Sequence, residues 1–210
     1  MIRRLQRLIL MMLVASILWV VGFAAWRLNT GWNFRLSPVP HGTILGEHQG
    51  VAVHAYGWGD SVRGDYGLEY ECVELVNRYY VQVLGHRNMT KSGDADSYFW
   101  SATAKGLKAF PNGGVNPPAA DDILVFDGGP EDGSVGHIAI IVEVTDTSVT
   151  FVEQNMKVFA DRVFEKDVWK DSLPMRHLED EWFVDPGHYP FPIAGWSRPL
   201  DQTASPRSLK

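Results

Sequence analysis

The stretch Gly136-His137-Ile138-Ala139-Ile140-Ile141-Val142-Glu143-Val144-Thr145-Asp146-Thr147-Ser148-Val149-Thr150-Phe151-Val152-Glu153-Gln154-Asn155 reads as two β-strands joined by a turn. The run Ile138–Val142 is apolar without a break, the pattern of a buried strand, and Val149–Val152 repeats the β signal after Asp146-Thr147-Ser148. His137 opens the first strand. A polar ring at the mouth of a buried strand is well placed for a cleft, although a histidine there can equally serve the sheet edge. Glu153 and Asn155 share parity, so both face one side of the second strand. Pairing Thr145 with Val149 sets His137 opposite Lys157, leaving Asn155 two residues off register and Glu153 four. Simple hairpin geometry favours Asn155, but a bulge or twist changes the count. Spacing alone leaves the partner of His137 open.

Working outward, Ile123–Phe126 and Ile193–Trp196 carry further strand signals, as does the alternation Val51, Val53, Ala55. Gly57–Gly67 and Asn112–Asp121 are rich in Gly, Asp and Pro and read as loops. From about Glu71 to Leu84, Val73, Val76, Tyr80 and Val83 recur at three- and four-residue steps, which predicts an amphipathic helix stopped by Gly85. Ser97–Lys105 reads as a second helix with Ser97 as its N-cap. Helices followed by an antiparallel sheet predict an α+β fold, with N-terminal helices packed on the sheet.

Cys72 is the one cysteine of the chain. It falls at the start of the predicted helix, where unpaired N–H groups and the positive helix end favour thiolate, the attacking form. A buried inert thiol is the plainer reading, but a cysteine meant for the core would sit mid-helix on the apolar face. A thiolate needs a base. His41, His48 and His54 precede it in or near loops, His86 follows the helix, and His177 and His188 lie in polar segments, all more in keeping with surface residues. His137 is the base its position recommends. A fixed tautomer requires an orienting group, Glu153 or Asn155.

Residues 1–35 hold five arginines and no acid, so the remainder carries 14 basic and 25 acidic residues. A part that acidic argues against nucleic acid, which needs its phosphates neutralised. From Leu8 to Trp26 nineteen residues pass without a charge. As a helix they would span roughly 28 Å, near the thickness of a bilayer core, with Arg3, Arg4 and Arg7 on the cytoplasmic side. The expectation is one transmembrane helix in a bacterial inner membrane with the catalytic domain periplasmic. A cleaved signal peptide is the rival, with a poor small-residue site at Gly22-Phe23-Ala24. The division expected is an anchor and stalk start over 1–35, a domain over 41–199 and a loose tail over 200–210.

Three blocks in order carry a resemblance: Tyr70-Glu71-Cys72-Val73-Glu74-Leu75, Gly136-His137-Ile138-Ala139-Ile140-Ile141 and Val152-Glu153-Gln154-Asn155. They resemble the CHAP family of papain-like amidases (the NlpC/P60 type of fold), with the strongest likeness to its glutathionylspermidine amidases. That likeness extends to Gly42–Gly46, Ala109–Gly113 and Ala194–Trp196 and covers about residues 42–198. The resemblance implies Cys72 as nucleophile, His137 as base and Glu153 as the orienting carboxylate, with Asn155 a neighbour of the site. Two departures stand out. The family often has Gln before the Cys, where this chain has Glu71, so an oxyanion would rely on backbone N–H or other donors. A basic pair after the Cys block is reduced to Asn77-Arg78, leaving Arg78 as a candidate for substrate binding or support.

These residues predict amide hydrolysis through a thioester, with peptidoglycan peptides as substrate or, alternatively, glutathionylspermidine-like amides. A non-catalytic module tethered to the membrane and binding the cell wall is the alternative of another class. Metal-hydrolase and serine-elbow motifs are absent from the sequence, and no cofactor is expected. Asp60 and Asp65 are too sparse for a calcium loop. Trp58 and Trp100 suit a sugar-binding surface, but scattered aromatics more often belong to cores.

Overall fold

The computed structural model describes residues 2–30, 39–57, 61–87, 89, 93–129, 135–159 and 165–200. Residues 31–35 of the expected stalk start, Trp58, Asp60 and the tail beyond Leu200 lie outside them. Two compact units divide the chain, residues 1–36 with 159–165, and residues 37–158 with 166–210. The first contains helix α1, Ile2–Thr30.

Among the described residues, no helix is long and apolar enough to cross a membrane, which corrects the expected transmembrane span.

The second unit begins with a two-stranded hairpin of β1 (Ile44–His48) and β2 (Val51–His54). Helix α2 (Cys72–Gln82), the four-residue α3 (Ser97–Trp100) and a 3-10 turn over Ala102–Lys105 follow. The rest is strand: β3 (Leu107–Pro111), β4 (Ile123–Phe126), β5 (His137–Val144), β6 (Ser148–Phe159), β7 (Glu165–Leu178), β8 (Glu181–Val184) and β9 (Ile193–Pro199). These form one seven-stranded sheet in the order β3-β9-β4-β5-β6-β7-β8, a curled half-barrel.

The molecule is therefore mostly β, and the α+β expectation of several helices laid on a sheet is corrected. Two physical causes account for the error. The predicted helix over 97–105 breaks after one turn because Tyr98, Phe99, Trp100, Ser101 and Thr103 are weak helix formers. Ser97 does not cap it: the N-cap position is Asp96, and the Ser97 hydroxyl donates to the Asp94 carbonyl at 2.5 Å. Strands β3 and β7 carry Lys108, Pro111, Lys170, Asp171, Pro174 and Arg176, which hide a strand from its hydrophobic pattern. Among the described side chains of β7, only Leu173 and Met175 alternate cleanly inward.

The sheet is buried on both faces. Ile138, Ile140, Val152, Ile123 and Val125 pack with Leu75, Val76, Tyr79 and Tyr80 of α2. Ala139, Ile141, Phe126, Phe151 and Trp196 line the other face with Leu173, Met175, Val184 and Tyr189. Two-sided burial is why β5 reads as an unbroken apolar run. Each fully buried Ile or Leu contributes about 1.5–3 kcal/mol, as an upper figure. Helix α2 obeys its pattern, and Gly85, with φ 67°, supplies the left-handed residue past its end.

Candidate active site

Three elements deliver the predicted residues. Cys72 is the first residue of α2, and no side chain caps that helix end, which leaves its first-turn N–H groups without a side-chain partner there. His137 is the first residue of β5. Gly136 before it has φ 69°, and a Cβ there would lie 2.4 Å from the Phe126 carbonyl oxygen, so only glycine allows the chain to enter the strand beside β4. Glu153 lies on β6 and is wholly buried, and His137 is 4% exposed.

His137 Nε2 and Glu153 Oε2 are 2.9 Å apart. Cys72 also acts on the ring, favouring its charged form. With Nε2 turned to Glu153, Nδ1 is the nitrogen left for the sulfur. Burial opposes a charged imidazole, but the Cys72 thiolate, by charge and hydrogen bond, and the Glu153 carboxylate outweigh it and push His137 up to about 10. Phe126 lies 5.5 Å from the His137 ring, centroid to centroid, and keeps the site in an apolar wall.

Register alone does not decide which residue meets the histidine. Ile140 pairs with Val152 and Val144 with Val149, with a slip between Ile141 and Glu143. The turn is closed by Thr145 N–H donating to the Ser148 carbonyl at 2.9 Å, one position tighter than the Thr145–Val149 pairing. Continued from Ile140–Val152, this register sets Asn155 level with His137 and Glu153 diagonal to it. Register still favours Asn155, yet Asn155 has φ 59°, which turns its side chain away. Its Nδ2 donates to Glu71 Oε2 at 2.6 Å instead. The longer Glu153 side chain spans the diagonal.

Glu71, at the N-cap position, also accepts from the Ser61 hydroxyl at 3.2 Å. Arg78 donates through Nε to Glu74 Oε1 at 2.7 Å and through Nη1 to the Ala52 carbonyl at 2.7 Å. Both of its ends are thus engaged by the frame around the site. Gln154, which sequence reasoning passed over, is wholly buried. Its Nε2 donates to the Glu71 carbonyl at 3.0 Å and to Glu74 Oε2 at 2.9 Å, and its Oε1 accepts from His54 N–H at 2.8 Å. One side chain thereby ties β6, β2 and the cysteine end of α2 together. Its only signal in sequence was its place between Glu153 and Asn155. Tyr189 was also missed: its hydroxyl donates to Glu153 Oε1 at 2.5 Å, and no local pattern in the loop after β8 points to it.

The remaining histidines stand apart from Cys72's hydrogen bonds. His86 is buried, with Nε2 on the Lys105 carbonyl at 3.0 Å, contrary to its expected surface position. His48 is held below the usual imidazole range by burial, despite Asp121. His54 is lowered too, by burial and then by Arg78, and its Nδ1 is buried without a hydrogen-bond partner.

Comparison with known proteins bears on the same residues. Residues 61–155 match the CHAP domain. That CHAP region holds Cys72, His137, Glu153 and Asn155, and leaves out Tyr189. The chain is homologous to the amidase domain of the bifunctional glutathionylspermidine synthetase/amidase of Escherichia coli (strain K12), at 30% identity over 141 residues. The Shigella flexneri protein of the same name matches equally. The match takes in 56% of this chain and 23% of each relative, so the chain spans about a quarter of their length. Among solved structures, the crystal structure of Ly7917 with the hydrolyzing product of MDP aligns at a TM-score of 0.36 and 14% identity, covering 66% of this chain and 56% of that one. The CHAP match and the amidase homology together support an amidase or hydrolase function.

Proposed function

We propose that the protein is a cysteine amidase in which Cys72 attacks a peptide-type amide and forms a thioester. The observation carrying this reading is the buried pair of His137 Nε2 and Glu153 Oε2 at 2.9 Å, on a ring whose charged form Cys72 also favours. The Cys72 thiolate adds to the carbonyl carbon, and the carbonyl oxygen takes the negative charge beside the uncapped N–H groups of α2. The C–N bond then breaks as His137 gives its proton to the leaving nitrogen. Water, deprotonated by His137, cleaves the thioester, releasing the acid and restoring the thiolate–imidazolium pair. Glu153 keeps the ring oriented throughout and stabilises the imidazolium whenever it forms.

For the substrate, the names of the two relatives favour a glutathionylspermidine-like amide. The excess of acid beyond residue 35 suits a cationic leaving group of that kind. Peptidoglycan stem peptides are the second reading, drawn from the CHAP resemblance. Incubating the purified protein with each substrate separately, followed by mass spectrometry, identifies the bond cut. Activity that survives Cys72→Ala would overturn the cysteine mechanism. Binding to cell wall with no product from either substrate would instead indicate a non-catalytic module.

A further inference from the structure

Glu153 is a fully buried carboxylate, and both of its oxygens need donors. His137 serves Oε2. The donor to Oε1 is the Tyr189 hydroxyl at 2.5 Å. Tyr189 is 6% exposed, and its ring is held by Phe126 at 4.7 Å and Phe151 at 5.9 Å between centroids. The hydroxyl also lies 3.2 Å from Asp171 Oδ2 on β7, and Asp171 in turn faces His188 Nε2 at 3.3 Å. One phenolic proton therefore has two carboxylates within reach, and the shorter contact commits it to Glu153.

We propose that Tyr189 is a positioning residue for the nucleophile, holding Glu153 ionised and aimed so that His137 can keep Cys72 as thiolate. Resting on the cysteine-amidase reading, this adds a residue outside the CHAP match to its machinery. The physical reason is that a hydrogen bond donated to a carboxylate favours its charged form, and a charged Glu153 is what sustains the imidazolium. Burial, and then Glu153 and Asp171, push the Tyr189 phenol well above its usual range, so it stays a donor wherever the protein is folded. The charged and titratable groups around Glu153 are His137 from β5, with Cys72 beyond it, and Tyr189, with Asp171 and His188 beyond that.

The test uses Cys72 alkylation by iodoacetamide across pH, which needs no substrate. In the wild type, a midpoint below the ordinary thiol value of about 8.5 supports the thiolate–imidazolium pair, and a midpoint at that value overturns the parent reading. In Tyr189→Phe, which keeps the ring packing, the midpoint should rise by about half a pH unit or more. A lowered wild-type midpoint that stays in place in folded Tyr189→Phe overturns the role of Tyr189 while sparing the parent reading. If that variant does not fold, 3-fluorotyrosine at position 189 keeps the shape and strengthens the donor. Its midpoint should move down, and an unmoved midpoint there rejects the proposal as well.

Discussion

Glu153 Oε2 and His137 Nε2 form a buried hydrogen-bonded pair at 2.9 Å. Asn155, the residue a flat hairpin would favour, gives its amide to Glu71 at 2.6 Å. The proposed Glu153 role follows from that pair. Glu153→Gln should lower kcat/KM by about 10²–10⁴-fold, because an amide neither fixes the imidazolium nor balances its charge. Asn155→Ala should cost about tenfold or less, acting through Glu71 at the helix start. Steady-state kinetics on both variants decide between them, and a larger loss in Asn155→Ala would make Asn155 the orienting residue.

The raised His137 sets the pH behaviour. Its folded value of about 10 exceeds the usual 6.5, so the proton is held below about 10 and lost above it. kcat/KM should therefore stay level through neutral pH and fall on the alkaline side near pH 10. Blocking Cys72 with an alkylating agent removes the thiolate that raises the ring, and the His137 proton should then leave at lower pH. NMR titration of the imidazole Cε1–H measures the change. An alkaline limb near the ordinary imidazole value would count against the ion pair.

Arg78 separates support from substrate contact. Glu74 is buried beside it and loses its cation in Arg78→Ala. Stripping one partner of a buried pair costs about 3–5 kcal/mol. The variant should unfold at markedly lower urea, while the fraction that remains folded keeps a near-normal KM. A raised KM with unchanged stability would instead make Arg78 a substrate ligand.

Asp122 contributes a pH-dependent term to stability. It is buried, and desolvation raises it to about 6 although Arg198, 2.7 Å away, pulls it down. Between its ordinary value and about 6, the folded carboxyl holds more proton than the unfolded one, so its contribution falls as pH rises through that window. The difference in unfolding free energy between wild type and Asp122→Asn should shift by about 2–3 kcal/mol from pH 4 to pH 6.5. Urea unfolding at several pH values checks it, and a constant difference would reject the assignment.

The sequence by itself determined which residues are candidates for the site and their local settings. A lone cysteine at a helix start, a histidine opening an apolar strand and a carboxylate in the next strand are all readable, because helix and strand periods show directly in burial patterns. The α2 boundaries, the hairpin of β5 and β6 and the Gly85 stop were legible for the same reason. The extent of the sheet was not, because β3 and β7 carry charges and prolines whose strand state is imposed by neighbouring strands and not by their own pattern.

Tertiary structure decided which of two same-face residues meets His137. The slip near Ile141 and the tighter turn at Thr145–Ser148 bring Asn155 level with His137, and the positive φ of Asn155 turns it aside and leaves Glu153 to meet the ring; none of the three leaves a periodic trace. Only the curl of the sheet brings Tyr189, 36 residues further on, to the second oxygen of Glu153. Contacts that distant in sequence depend on where whole elements pack, which no local spacing encodes.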